Sequence, residues 1–327
     1  MYYVIPITNF VTDYVLKLKD SFIIPNMYFK QYIDNEIHYD GAITESEKIL
    51  IHNVMEICIK DYHKFMSVSC IIMKNIDTNI INNSDVYMDM FHLEKMCYKA
   101  NRYLDFFRIH ECTHLNKDIL PGLPGQIEKS ITKEVIAVNE KTDEYRSLLG
   151  NVIHLYTQHG LGLYTDMASP NLEHPKEYEY FFSSRNDEVY LNCRAALSRI
   201  SDSMYIDDLS ISFIYLMSTL EMLASREYVN FRKVKSRILP FICDTKENYH
   251  KLSEELRVWS ESYRTNIIHN GKSILDLVSS EGELKRIFSL LCSYINNYCS
   301  TVLDTGITTF IELESYRLEK KSDLGIK

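Results

Sequence analysis

Apolar residues recur at helical spacing through two stretches of the first half of the chain. These are Glu45 to Met66 and Met88 to Ile109, the second carrying Met90, Leu93, Cys97, Leu104 and Phe107 at steps of three, four and seven. Short β-branched runs, Val68 to Met73 and Ile131 to Val138, fall between and after them. The punctuation Leu120-Pro121-Gly122-Leu123-Pro124-Gly125 separates the second helix from the second run, as turn chemistry requires. The pattern predicts a mixed α+β N-terminal domain over 1–195, a candidate sensor or regulatory region, with no readable period from about 150 to 190.

From about residue 200 the pattern becomes wholly helical. Leu209, Phe213, Leu216, Leu220 and Leu223 step by 4, 3, 4 and 3 behind Asp207-Asp208, which suit a helix N-terminus. Further amphipathic stretches run from Asn230 to Phe241, from Lys246 to His269 (Leu252, Leu256, Trp259, Tyr263, Ile267) and from Glu281 to Leu303 (Leu284, Phe288, Leu291, Ile295, Val302). Four such helices on short connections predict an all-α antiparallel bundle over 200–305 and a mostly helical protein overall. A C-terminal extension, 306–327, follows, and its charged end from Leu318 to Lys327 is expected to fray.

Composition narrows the class. With 46% hydrophobic and 25% charged residues the 327-residue chain is an ordinary folded protein, not a disordered or low-complexity one. A net charge of −9 argues against a broad basic face for duplex DNA, while leaving room for a local basic site. The eight cysteines lie singly, with no C-x-x-C pair, so reduced thiols in a cytoplasm are expected. Neither a basic leader with a long apolar run nor a stretch of eighteen apolar residues occurs, so no membrane partner is expected.

Two short patterns could carry chemistry. His110-Glu111-Cys112-Thr113-His114 matches H-E-x-x-H, in which two histidines one helical turn apart hold zinc and the glutamate activates water. The context is poor: the next acids, Glu128 and Glu134, fall in a Pro/Gly turn and a strand-like run, and the helix should be ending before Asn116. A zinc hydrolase on His110, Glu111 and His114 is therefore the weaker alternative, and two helix-terminal histidines near the negative end of the dipole are favoured. The second pattern is Tyr263-Arg264-Thr265-Asn266-Ile267-Ile268-His269-Asn270-Gly271. Its R-x4-H core is cheap, with about one chance match expected in such a chain. What raises it is its place at the end of a bundle helix, closed by Asn270-Gly271. The plain structural alternative has Arg264 paired with Glu261 one turn back and His269 sitting at a helix C-terminus.

These residues, with Phe213-Ile214-Tyr215-Leu216-Met217-Ser218-Thr219-Leu220-Glu221-Met222-Leu223 before them and a final apolar helix after, resemble the HEPN superfamily, in particular its Apea-like branch. The N-terminal region is more faintly similar to the upstream domains of that branch, through Leu104-Asp105-Phe106-Phe107-Arg108 and the Pro-Gly turn. The resemblance implies a cofactor-free, metal-independent endoribonuclease, of the kind found in toxins and anti-phage abortive infection, with R-x4-6-H pairs from two subunits facing one cleft. It implies Arg264 and His269 as the catalytic residues, with Thr265 or Asn266 orienting, although the family places its polar residue directly after the arginine. It equally admits an inactive bundle that binds nucleotides or proteins. On an ideal helix Arg264 and His269 lie about 140° apart, so a joint site needs arginine reach, local unwinding at Asn270-Gly271 or a second subunit, and a homodimer supplies the last.

Arg232, Lys233, Lys235 and Arg237 form the densest basic cluster. A solvated helix face is its default reading, and RNA phosphates its functional one. Glu221 is expected to cap or pair, and His154 and His159 to lie in loops.

Overall fold

A computed structural model describes residues 1–26, 38–39, 41–61, 68–74, 86–127, 132–151, 162–165 and 175–326. His154 and His159 lie outside the described residues. The chain divides into a unit of Met1–Cys112 and Asn116–Phe182, carrying the sheet, and a helical unit of Ser183–Lys327 with Thr113–Leu115.

The first unit is organised by β1 (Tyr2–Ile7), whose six side chains are all buried. A strand covered on both faces reads as a continuous apolar run, as Tyr-Tyr-Val-Ile-Pro-Ile does. Around it come β2 (Phe10–Thr12), β3 (Leu16–Leu18), β4 (Ser21–Ile24), α1 (Glu45–Asp61), β5 (Ser69–Lys74), α2 (Val86–Tyr103), α3 (Asp105–Glu111), β6 (Thr132–Asn139), β7 (Glu144–Asn151), β8 (Leu163–Thr165) and α4 (Pro175–Phe182). The six-stranded sheet has the order β3-β4-β5-β1-β6-β7, with every neighbour antiparallel. Tyr2 faces Lys74 on one side and Val138 on the other. A parallel pair of β2 and β8 stands apart from it.

One face of the sheet, with Val4, Ile72, Ile136 and Val138, packs on Ile51, Val54, Met55 and Cys58 of α1. The other face receives α2. There Leu93 lies against Gly150, and Glu94 pairs with Lys133 at 2.9 Å; Lys133 and Gly150 are register partners on β6 and β7. The continuous helix expected from Met88 to Ile109 instead breaks at Leu104, whose N–H reaches back three residues to Asn101. The break turns Phe106 and Phe107 into an aromatic cluster with Phe10, Tyr178, Phe181 and Phe182.

The second unit contains α5 (Glu188–Ser203), α6 (Leu209–Ala224), α7 (Phe231–Ile238), α8 (Lys246–Val258), α9 (Thr265–Asn270), α10 (Glu281–Asp304) and α11 (Phe310–Asp323). Its helix starts are written in side chains: Asp187, Asp208, Asn230, Thr245, Ser280 and Thr309 each accept a backbone N–H of their own first turn. α5, α6 and α10 pack together, and α6 buries the expected Phe213, Leu216, Leu220 and Leu223. The expected fraying from Leu318 does not occur. α11 continues to Asp323, started by a Thr309–Glu312 capping box and anchored through Leu313 and Arg317, both buried. The protein is mostly helical, and among the described residues no helix is long and apolar enough to cross a membrane.

Candidate functional site

The segment holding Arg264 and His269 begins as the regular helix α8, with Leu256 buried, and continues through a π turn at Trp259–Arg264 into α9. Four-residue steps, here Trp259, Tyr263 and Ile267, drift ahead of an α-helical stripe by about 40° each. A turn with an extra residue absorbs that drift and keeps Trp259 buried and Tyr263 half-buried, and such single π turns cluster at functional sites. Tyr263 is also tied outward, its hydroxyl donating to Glu283 Oε1 at 2.7 Å. Burial, and then that carboxylate, push the phenol up to about 12, while hydrogen bonds from Ser279 and then Tyr263 hold Glu283 down at about 2.

Arg264 ends the π turn half-buried. Its guanidinium lies 3.3 Å from Glu221 Oε1 of α6, and not against Glu261, which pairs with Arg257 at 2.6 Å. The intrahelical Glu261–Arg264 pair is thus replaced by one that crosses helices. α9 is ordinary α-helix, so Arg264 and His269 keep an angular separation of about 140°. His269 is exposed. Gly271 closes the helix at φ 63°, and both its N–H and that of Lys272 bond the Asn266 carbonyl. No neighbour lies within 4 Å of a Cβ placed on Gly271, so its need for glycine is conformational alone.

The two orienting candidates are engaged with their own helix. Thr265 Oγ1 donates to the Ser260 carbonyl at 3.1 Å and Asn266 Nδ2 to the Ser262 carbonyl at 2.8 Å, while Asn266 Oδ1 accepts from Asn270. Both brace the turn that carries Arg264. The basic cluster on α7 does not present one face. Arg232 and Lys233 are exposed, whereas Lys235 Nζ donates to the Ser253 carbonyl and Arg237 Nη1 to the Ala224 carbonyl. Burial, foremost, lowers the Lys235 pKa.

The H-E-x-x-H residues are not arranged on one helix. α3 ends at Glu111 and Cys112 is extended at φ −108°, ψ 159°, so no second turn exists to bring His114 above His110. His110 lies against the Phe106 ring. His114, grouped with the helical unit, is buried, with Nε2 2.7 Å from Ser203 Oγ and its ring stacked on Phe288. Among the described residues no group of three or more His, Cys, Asp or Glu could hold a metal ion. All eight cysteines are free thiols, and burial pushes those of Cys58, Cys97, Cys112 and Cys292 up to about 12, far from reactive thiolates.

Sequence reasoning foresaw a pairing role for Glu221 without its partner. No local spacing could reveal it, because Arg264 is 43 residues away on another element. Comparison with family models, with curated proteins and with solved structures finds no significant match for this chain.

Proposed function

We propose that the second unit is an antiparallel HEPN-type bundle acting as a metal-independent endoribonuclease, working as a homodimer. The observation that carries the reading is the seat of Arg264: half-buried, braced by a π turn and held by Glu221, with an exposed histidine five residues on at the helix end. A fixed guanidinium can stabilise charge developing on a phosphorane, and a solvent-facing imidazole can take the proton of a 2′-hydroxyl. Because the two lie apart around the helix, two copies facing across a twofold provide the better site.

The test is incubation of the purified protein with total RNA and with tRNA in EDTA. Cleavage by the wild type, lost in Arg264→Ala and in His269→Ala with melting nearly unchanged, supports the reading. RNA left intact by folded wild type, or cut equally by both variants, overturns it. The Arg264–Glu221 pair favours a second reading, an inactive bundle that binds nucleotides or proteins, since it neutralises the cation. Binding of RNA without cleavage would select it.

A further inference from the structure

The final helix α11 does more than extend the second unit. With the end of α6, the residues that follow it and α7, it forms an open pocket of about 240 Å³ lined by Arg226, Arg237, Arg317 and Phe310. Arg317 is 4% exposed and immobilised: Nε donates to the Arg237 carbonyl at 3.1 Å, and Nη1 pairs with Glu314. Arg226 pairs with Glu188 and lies 4.0 Å over the Phe310 ring. Arg237 donates to the Ala224 carbonyl and pairs with no carboxylate among the described residues. Lys321 senses the same field: burial first, then Arg317 and Arg237, lower its pKa.

Two carboxylates, Glu227 and Glu314, also line the cavity. Glu314 answers Arg317 and Glu188 answers Arg226, which leaves Arg237 and Glu227 as the two charged lining residues without an ion pair among the described residues. Glu188, Glu227 and Glu314 match the three arginines in number, so what favours an anion here is the unpaired Arg237 guanidinium and not a net positive charge. The volume lies below the range of sites for drug-sized ligands and admits a phosphate with part of what bears it. Planar guanidinium forks match phosphate oxygens in pairs, and a fork already held by the protein loses little freedom on binding.

We propose that this cavity binds a phosphate group, gripped by Arg237 and Arg226 against the fixed wall of Arg317. The phosphate arrives either on a free mononucleotide or as a link in an RNA strand. The site is independent of the nuclease reading, since none of its side chains belongs to the Arg264–His269 segment.

Calorimetric titration of the full-length protein in EDTA tests it, with AMP, adenosine, inorganic phosphate and a 2′-O-methyl RNA octamer that cannot be cut. Saturable binding of AMP or phosphate, but not adenosine, identifies a free phosphorylated ligand; binding of the octamer alone identifies the strand. In either case Arg237→Gln should weaken binding about tenfold or more, as for one lost charge-assisted hydrogen bond. Glu227→Gln should tighten it about two- to fivefold, an effect that unfolding cannot mimic. No binding of any phosphate-bearing probe at millimolar concentration overturns the proposal. So does binding that Arg237→Gln leaves unchanged.

Discussion

Replacing Glu221 tests whether Arg264 is positioned or merely present. At 3.3 Å, and at the effective dielectric of about 20 that suits partly buried sites, the Coulomb attraction is about 5 kcal/mol before losses. Desolvation and ordering of two side chains, each exposed by about a third, bring the expected net coupling to about 1 kcal/mol. A double-mutant cycle of Glu221→Gln and Arg264→Gln in thermal melts should return that coupling, with each single variant melting about 3 °C below wild type. In the RNA cleavage assay Arg264→Gln should lose about 10²–10³ in rate, as for removal of one transition-state donor. Glu221→Gln should lose part of that, and the double variant no more than Arg264→Gln alone. A coupling within about 0.3 kcal/mol of zero, or rate losses that simply multiply, would refute the claim that Glu221 acts through Arg264.

Acid should weaken the tie between the π turn and α10. The folded pKa of Glu283 is lowered to about 2 from an ordinary 4.5, so its contribution is fully present above about pH 4.5 and is lost as pH falls toward 2. Melting at pH 6 and about pH 3 should show a wild-type loss that is smaller in Glu283→Gln. In the first unit, Gly162 sits at φ +79°, and a Cβ there would come within 2.4 Å of the Asn9 carbonyl oxygen. Gly162→Ala should destabilise by about 2 kcal/mol or more, read in denaturant melts; an unchanged midpoint would contradict the close approach. Light scattering at tens of micromolar should give a dimer, and exposed His269→Ala should leave that mass unchanged; a strict monomer would count against the two-subunit cleft.

How much of this was legible depends on where the information lies. α6 is readable because Asp208 caps it and its buried Phe213, Leu216, Leu220 and Leu223 repeat locally. α5 carries a stripe of its own in Tyr190, Cys193, Leu197 and Ile200, but the small residues Cys193, Ala196, Ser198, Ser201 and Ser203 that share its buried face make that stripe faint in the sequence. β1 is hard to read because a strand buried on both faces lacks alternation, and β3 and β4 are too short to show a period. Arg264 and His269 could be singled out from spacing and a Gly-closed helix end. Their surroundings could not: the π turn depends on how Trp259 and Tyr263 pack, and the Glu221 partner on how helices meet. The H-E-x-x-H match carries little weight for a related reason, because a one-turn spacing has meaning only where the helix continues, and here it stops at Glu111.

The central place of β1 bears on how the protein is made. Its residues pair with strands 72 and 136 positions further along, as the Tyr2–Lys74 and Tyr2–Val138 partners show. During synthesis this apolar segment must therefore wait, unpaired, until β5 and then β6 have left the ribosome, and such non-local closure is slow. Until then it is an exposed apolar stretch without a charge, in which Pro6 is the residue that opposes stacking into intermolecular strands. The sheet of the first unit therefore cannot be completed until residues as far along as Val138 have been made.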